Sequence, residues 1–277
     1  MKRLVLLTVW GLLLSAAASA QTPTQVTQLA KARQAFNQSQ YDQAIAAALE
    51  ARKAPALVAA AGVVLGRAYA ERYYTKSDGA DLVLAHDTLA GLDPVRLSPV
   101  DRRDLTIGLG LTVFFEGRPG AAAELLEVAL AAPVEAGADP RAREKLFDWW
   151  ATAVDRAAQL APDAGRHGYY ERIVARSEAE LARDPASTAA GYWLAAGARG
   201  NAEFDRAWNA AIAAWIRAKD GPALGNMRDL RADARADIDL LVTAAIIPER
   251  ARALDANATQ ALIAAMRAEW EQIKNSW

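Results

Sequence analysis

Residues 105–133 read LTIGLGLTVFFEGRPGAAAELLEVALAAP, and this stretch decides the fold. Leu105 to Phe115 carries apolar residues at helical spacing, Gly117-Arg118-Pro119-Gly120 is turn chemistry, and Ala121 to Leu130 is a second helical run. The stretch therefore predicts two short helices folded into a hairpin. No part of the chain sustains two-residue alternation, so strands are not expected anywhere.

The same plan recurs outward from it. Pro55, Pro94 and Pro133 each close a helix pair and stand 39 residues apart. Pro185 and Pro222, 37 apart, bracket another pair, and the 52 residues between Pro133 and Pro185 hold a longer one. Helices are expected over Leu29–Asn37, Tyr41–Lys53, Ala56–Tyr74, Ala80–Leu92, Pro140–Leu160, Tyr169–Arg183, a run containing Tyr192-Trp193-Leu194, and Ala202–Lys219. Ser98-Pro99-Val100-Asp101 is a helix start, with serine as cap, proline at the first helical position and an acid three residues after the serine. Residues 162–168 read as a connection. Met227–Ile247 reads as a charged amphipathic helix interrupted by Pro248. Leu262, Ile263, Met266, Trp270, Ile273 and Trp277 form a stripe that seals the end of a helical stack.

Composition agrees with this pattern. The chain has 277 residues, 53% hydrophobic and 23% charged, and its apolar content is mostly alanine and leucine, the strongest helix formers. Residues 1–20 read as a signal peptide: Lys2 and Arg3, then an apolar run from Leu4 to Leu14, then Ala18-Ser19-Ala20 as a cleavage pattern. There is no cysteine, hence no lipid-bearing cysteine after that site, no disulfide, no thiolate metal site and no cysteine nucleophile. A periplasmic or secreted protein without stable membrane insertion after cleavage is the expectation. Without Lys2 and Arg3, 30 basic residues face 33 acidic ones, a net charge of −3. That balance argues against nucleic acid and against a polybasic membrane patch.

The repeat resembles the tetratricopeptide repeat. Leu109-Gly110 with Val113, Ala122, Leu126 and Pro133 resembles one copy; Leu65-Gly66 with Tyr69 and Ala85 resembles another. Tyr41, Ala44, Ala48 and Pro55 are similar to a second helix of the unit, and Leu194-Ala195, Ala198, Ala207, Ala211 and Pro222 to a further copy. The tryptophan that opens each family copy is replaced by Gly62, Thr106 and Gly191, and the period exceeds the family's roughly 34 residues. The resemblance implies an all-α, right-handed stack of antiparallel helical hairpins over residues 29–222, a TPR-like α-solenoid. A disordered N-terminus (21–28) would precede it, and capping helices (223–277) would follow. It also implies a protein or peptide partner, here in the cell envelope.

No catalytic constellation, phosphate loop or metal-ligand spacing stands out, so neither an enzyme nor a cofactor is expected. Gly108 and Gly110 fall within a helix, where they allow close packing. His86 and His167 show no second histidine or carboxylate at metal-ligand spacing and read as surface or packing residues. Asp229, Asp233 and Asp237 make a carboxylate stripe, interleaved with Arg228, Arg231 and Arg235 as on a solvated face. The aromatics Trp149, Trp150, Tyr169, Tyr170, Tyr192, Trp193, Trp208 and Trp215 are the candidate binding residues. Adjacent helical residues point about 100° apart, so one of each doublet can be less buried. These rings either fill gaps between hairpins, the commoner use, or line a groove for a partner segment or a small apolar or aromatic ligand. The segment from Pro185 through Tyr192-Trp193-Leu194-Ala195-Ala196 to Trp215 and Lys219-Asp220-Gly221-Pro222 is similar to the helical-repeat component of periplasmic tripartite transporters. That likeness implies a small-ligand-binding component as the alternative.

Overall fold

The computed structural model describes residues 23–132, 140–218 and 230–277, and among them only helices and their connections occur. The cleavage pattern at 18–20, Pro133, the Asp220-Gly221-Pro222 stop and Asp229 lie outside the described residues, as does the side chain of Asp233. No helix among the described residues is long and apolar enough to cross a membrane.

The helices are α1 (Pro23–Asn37), α2 (Tyr41–Ala51), α3 (Val58–Lys76), α4 (Gly79–Ala90), α5 (Pro99–Phe115), α6 (Pro119–Ala131), α7 (Pro140–Leu160), α8 (Asp163–Arg183), α9 (Thr188–Gly200) and α10 (Phe204–Arg217), followed by α11 (Leu230–Leu241), α12 (Ile247–Leu254) and α13 (Thr259–Ser276). Each packs against its neighbours in the chain. Short 3₁₀ turns at Pro55–Leu57 and Pro94–Arg96 lead into α3 and α5. Ala54, ahead of Pro55, is extended, as the proline ring requires. Ser98 caps α5 through a bond from the Asp101 amide to its hydroxyl, 3.1 Å, and its hydroxyl donates to the Asp101 carboxylate, 2.8 Å. Gly117 turns the chain between α5 and α6 at φ +80, a left-handed conformation open to glycine at little steric cost.

Three boundaries differ from the pattern. α1 starts at Pro23, so residues 23–28, expected to be disordered, are its first turns; a proline at the first helical position explains the early start. α8 starts at Asp163, so the connection expected over 162–168 is only its first residue; the acidic Asp163 suits the positive end of the helix. Pro248 does not interrupt the chain. A π-helical stretch, Val242–Ile246, takes up the missing backbone donor and passes directly into α12.

A recurring contact sets glycines on odd-numbered helices against bulky side chains on even-numbered ones, within the pairs α3–α4 and α5–α6 and between pairs at α4–α5 and α8–α9. A β-carbon on Gly66 of α3 would stand 2.5 Å from Leu89 Cγ of α4, and one on Gly108 of α5 would stand 3.0 Å from Leu89 Cδ1. Leu89, 1% exposed, thus lies in a slot between two glycines. On α5, a β-carbon at Gly110 would come within 2.9 Å of Leu126 of α6. On α9, Gly197 accommodates Ile173 and Val174 of α8, and Gly200 accommodates the Tyr170 ring. The core is consequently a string of clusters along the stack rather than one centre.

The layering follows. Successive odd-numbered helices touch from α1 to α11, whereas no successive even-numbered pair from α2 to α10 packs comparably. Long side chains also reach past one helix of this layer: Lys145 Nζ of α7 meets Glu71 Oε1 of α3 at 2.8 Å, and Tyr74 of α3 meets Trp149 of α7 with ring centroids 5.0 Å apart. Arg33 of α1 likewise reaches Asp101 of α5 at 2.7 Å.

The glycine contacts predict opposite effects of the same substitution. Gly110→Ala gains about 1 kcal/mol of helix propensity. It also overpacks the fully buried Leu126, costing about 1–3 kcal/mol, so a net loss is expected. Gly120→Ala, with nothing within 4 Å of the new methyl group, gains about 0.5–1 kcal/mol. Urea unfolding of the two variants checks both signs.

Candidate functional site

The eight candidate aromatics do not converge on one place. Trp149, Trp150, Tyr169, Tyr170, Tyr192 and Trp193 belong to the cluster spanning α5 to α9. Trp208 and Trp215 join the C-terminal cluster, where Trp270 of α13 lies 6.0 and 5.4 Å from their ring centroids. Tyr192 touches both clusters. Trp150, Trp193 and Trp208 are buried and serve as packing; Trp149, Tyr169, Tyr170, Tyr192 and Trp215 are half-buried. Trp277, the last member of the closing stripe, is 53% exposed and seals nothing.

Two groups were not singled out in the sequence. Tyr73, Tyr74, Phe114 and Phe115 surround Trp149 at the ends of α3 and α5, with Phe114 and Phe115 centroids both 5.6 Å from it. The same doublet signal that marked Trp149-Trp150 stands in Tyr73-Tyr74 and Phe114-Phe115. The second group is charged and belongs to α7, α9 and α11. Asp148 is exposed on α7, yet its carboxylate accepts a 2.7 Å bond from Trp193 Nε1 of α9. Surrounding protein mass raises its pKa, and the charges of Asp237 and Glu144 add to the rise; the Trp193 bond and Lys145 oppose it. Asp155, two turns on and bonded to Tyr170, is raised by burial in the same way. Tyr192 lies among these carboxylates. Burial first, then Asp237, Asp155 and Asp148, push its phenol up to about 12.

The cations nearby are engaged elsewhere. Arg199 pairs bidentately with Glu249 of α12 at 2.6 and 2.8 Å, and Lys145 is held by Glu71. Glu144, one turn before Asp148, caps α9: its Oε1 accepts from the Thr188 and Ala189 amides at 2.7 and 3.0 Å. The result is a group where α7, α8 and α9 meet, in which half-buried Tyr192 and Tyr170 and buried Trp193 stand beside the carboxylates of Asp148 and Asp155.

Among the described residues no group of three or more His, Asp or Glu side chains is placed to hold a metal ion. His86 and His167 are exposed surface residues, each beside one carboxylate. Glu116 lies 2.6 Å from His86, and Glu171, one turn further along α8, lies 3.1 Å from His167. The second pairing was hidden because 162–168 reads as a connection. Gly108 and Gly110 lie inside α5, in the packing contacts described above. No protein-family model matches the chain, and neither a curated protein nor a solved structure matches it.

The group around Tyr192 has a pH signature. A carboxyl whose folded pKa is raised binds protons more tightly folded than unfolded. Stability therefore falls as pH rises from the ordinary value of 3.8 through the folded value. Asp148→Asn keeps an acceptor for Trp193 and removes the charge. The variant is expected to be more stable than the parent at neutral pH, with an advantage that shrinks as pH falls through the raised folded value towards 3.8 and is lost below it. Denaturant titrations across that range check it, and an advantage independent of pH would contradict it.

Proposed function

We propose that the protein is an exported helical-repeat scaffold that holds a segment of another protein in the cell envelope. The segment lies against the group around Tyr192 that α7, α8 and α9 bring together. The observation that carries the reading is that group: half-buried Tyr192 and Tyr170, beside carboxylates of Asp148 and Asp155 whose charged forms are penalised by their surroundings. A lysine- or arginine-bearing segment would relieve that penalty and place its side chains over the rings. Several other observations support the wider reading. Glycines of Leu65-Gly66 and Leu109-Gly110 work as close-packing positions, as the tetratricopeptide resemblance implies. Packing of each helix against its chain neighbours and of odd-numbered helices against one another is compatible with a helical repeat. The cleavage pattern at residues 18–20 supports export to the periplasm.

The test is site-specific photocrosslinking in the cells that make the protein. A photoreactive side chain at Tyr192 is expected to capture one discrete partner, and the same group at Val128, 64% exposed on α6, is expected to capture none. Asp148→Asn combined with Asp155→Asn should reduce the Tyr192 adduct severalfold. Equal capture at both positions, or none at either, would sink the assignment.

A further inference from the structure

A second site lies at the other end of the same odd-numbered layer. α1, α3 and α5 enclose a cavity of ≈ 410 Å³, lined by Arg33, Phe36, Val64, Arg67, Asp101 and Asp104, with Asn37, Ser98 and Val100 at its edge. That volume falls in the lower range of small-molecule sites. The lining is two cations and two anions in alternation. Arg33 Nη2 meets Asp101 Oδ1 at 2.7 Å, and Arg67 Nη1 meets Asp104 Oδ2 at 2.8 Å. The Arg67 guanidinium lies over the Phe36 ring, 4.5 Å from its centroid, which fixes its plane. Phe36, Val64 and Val100 provide the apolar part of the wall.

Two features select the ligand chemistry. The charges cancel, so neither a simple anion nor a simple cation gains from the lining as a whole. Each ion pair also leaves capacity unused: among the described residues Arg33 bonds through Nη2 alone, and no bond to Oδ1 of Asp104 is made. Arg33 and Asp104 are 48% and 32% exposed at the side chain, so their free groups meet solvent that a ligand can replace. We infer that this cavity binds a small zwitterion of dipeptide size with apolar side chains. Its carboxylate is received by Arg33 beside Arg67, its ammonium by Asp104, and an apolar side chain lies on Phe36 and Val64. The site is distinct from the group around Tyr192, and its occupant is a free small molecule rather than a protein segment.

The experiment is isothermal titration of the purified protein with L-leucyl-L-leucine, its N-acetyl derivative and its C-terminal amide. The free dipeptide is expected to bind, and either cap is expected to weaken binding by about tenfold or more, because each leaves one charged partner in the cavity unanswered. Asp104→Asn should weaken the free dipeptide and leave the N-acetyl derivative unchanged, and Arg33→Gln should do the converse with the amide. Thermal melts of both variants establish that they fold; should one fail to, the other decides. No binding of the free dipeptide at millimolar concentration, or capped and free forms binding alike, would overturn the inference.

Discussion

The structure depends on how closely the paired helices approach. Gly66 and Gly108 admit Leu89, Gly110 admits Leu126, and Gly197 and Gly200 admit Ile173, Val174 and Tyr170. In each case the side with no β-carbon is an odd-numbered helix. Glycine in a helix interior costs about 1 kcal/mol in propensity. The contacts it permits, between mostly buried side chains and backbone, offset that cost through dispersion and burial. Without the glycines the pairs would stand further apart, and a leucine as buried as Leu89 would have no room.

That constraint reaches the surface through the layering. Odd-numbered helices pack against one another as well as against their even-numbered partners, so side chains from helices two apart meet over the one between. Glu71 with Lys145 and Tyr74 with Trp149 are such meetings. The odd-numbered layer therefore gathers residues distant in sequence. The group by Tyr192 draws carboxylates from α7 and α11, and the cavity by Arg67 draws charges from α1, α3 and α5. Helices of ordinary composition acquire surfaces of mixed polar and aromatic character. Such surfaces suit recognition and place no demand for a nucleophile or a metal.

The helices were largely legible in the sequence because alanine-leucine periodicity, Ser98 and the prolines at 55 and 94 are local signals. The exceptions were local as well. Pro23 and Asp163 start helices inside stretches that read as coil, because a polar composition does not forbid a helix with a good first turn. Pro248 reads as a break, but a π-turn absorbs its missing donor. The site was less legible. Aromatic doublets pointed to the right helices but not to which ring is buried, since Trp150 and Trp149 differ only in which way the helix turns them. The charged partners were invisible for a different reason. Asp148 and Trp193, or Arg33 and Asp101, are brought together by packing between helices distant in the chain, which no short window of sequence contains.

The central claim, that a glycine slot sets the approach of the helix pairs, is tested most directly by a double-mutant cycle at Gly66 and Leu89. Gly66→Ala and Leu89→Ala each remove one side of the contact, the first by filling the slot and the second by emptying it, and urea unfolding gives the stability of the parent, both single variants and the double variant. If the slot sets the approach, the alanine at 66 is tolerated once Leu89 is gone. The double variant then loses less than the sum of the singles, with a coupling of at least ~1 kcal/mol. Losses that add within ~0.5 kcal/mol would contradict it.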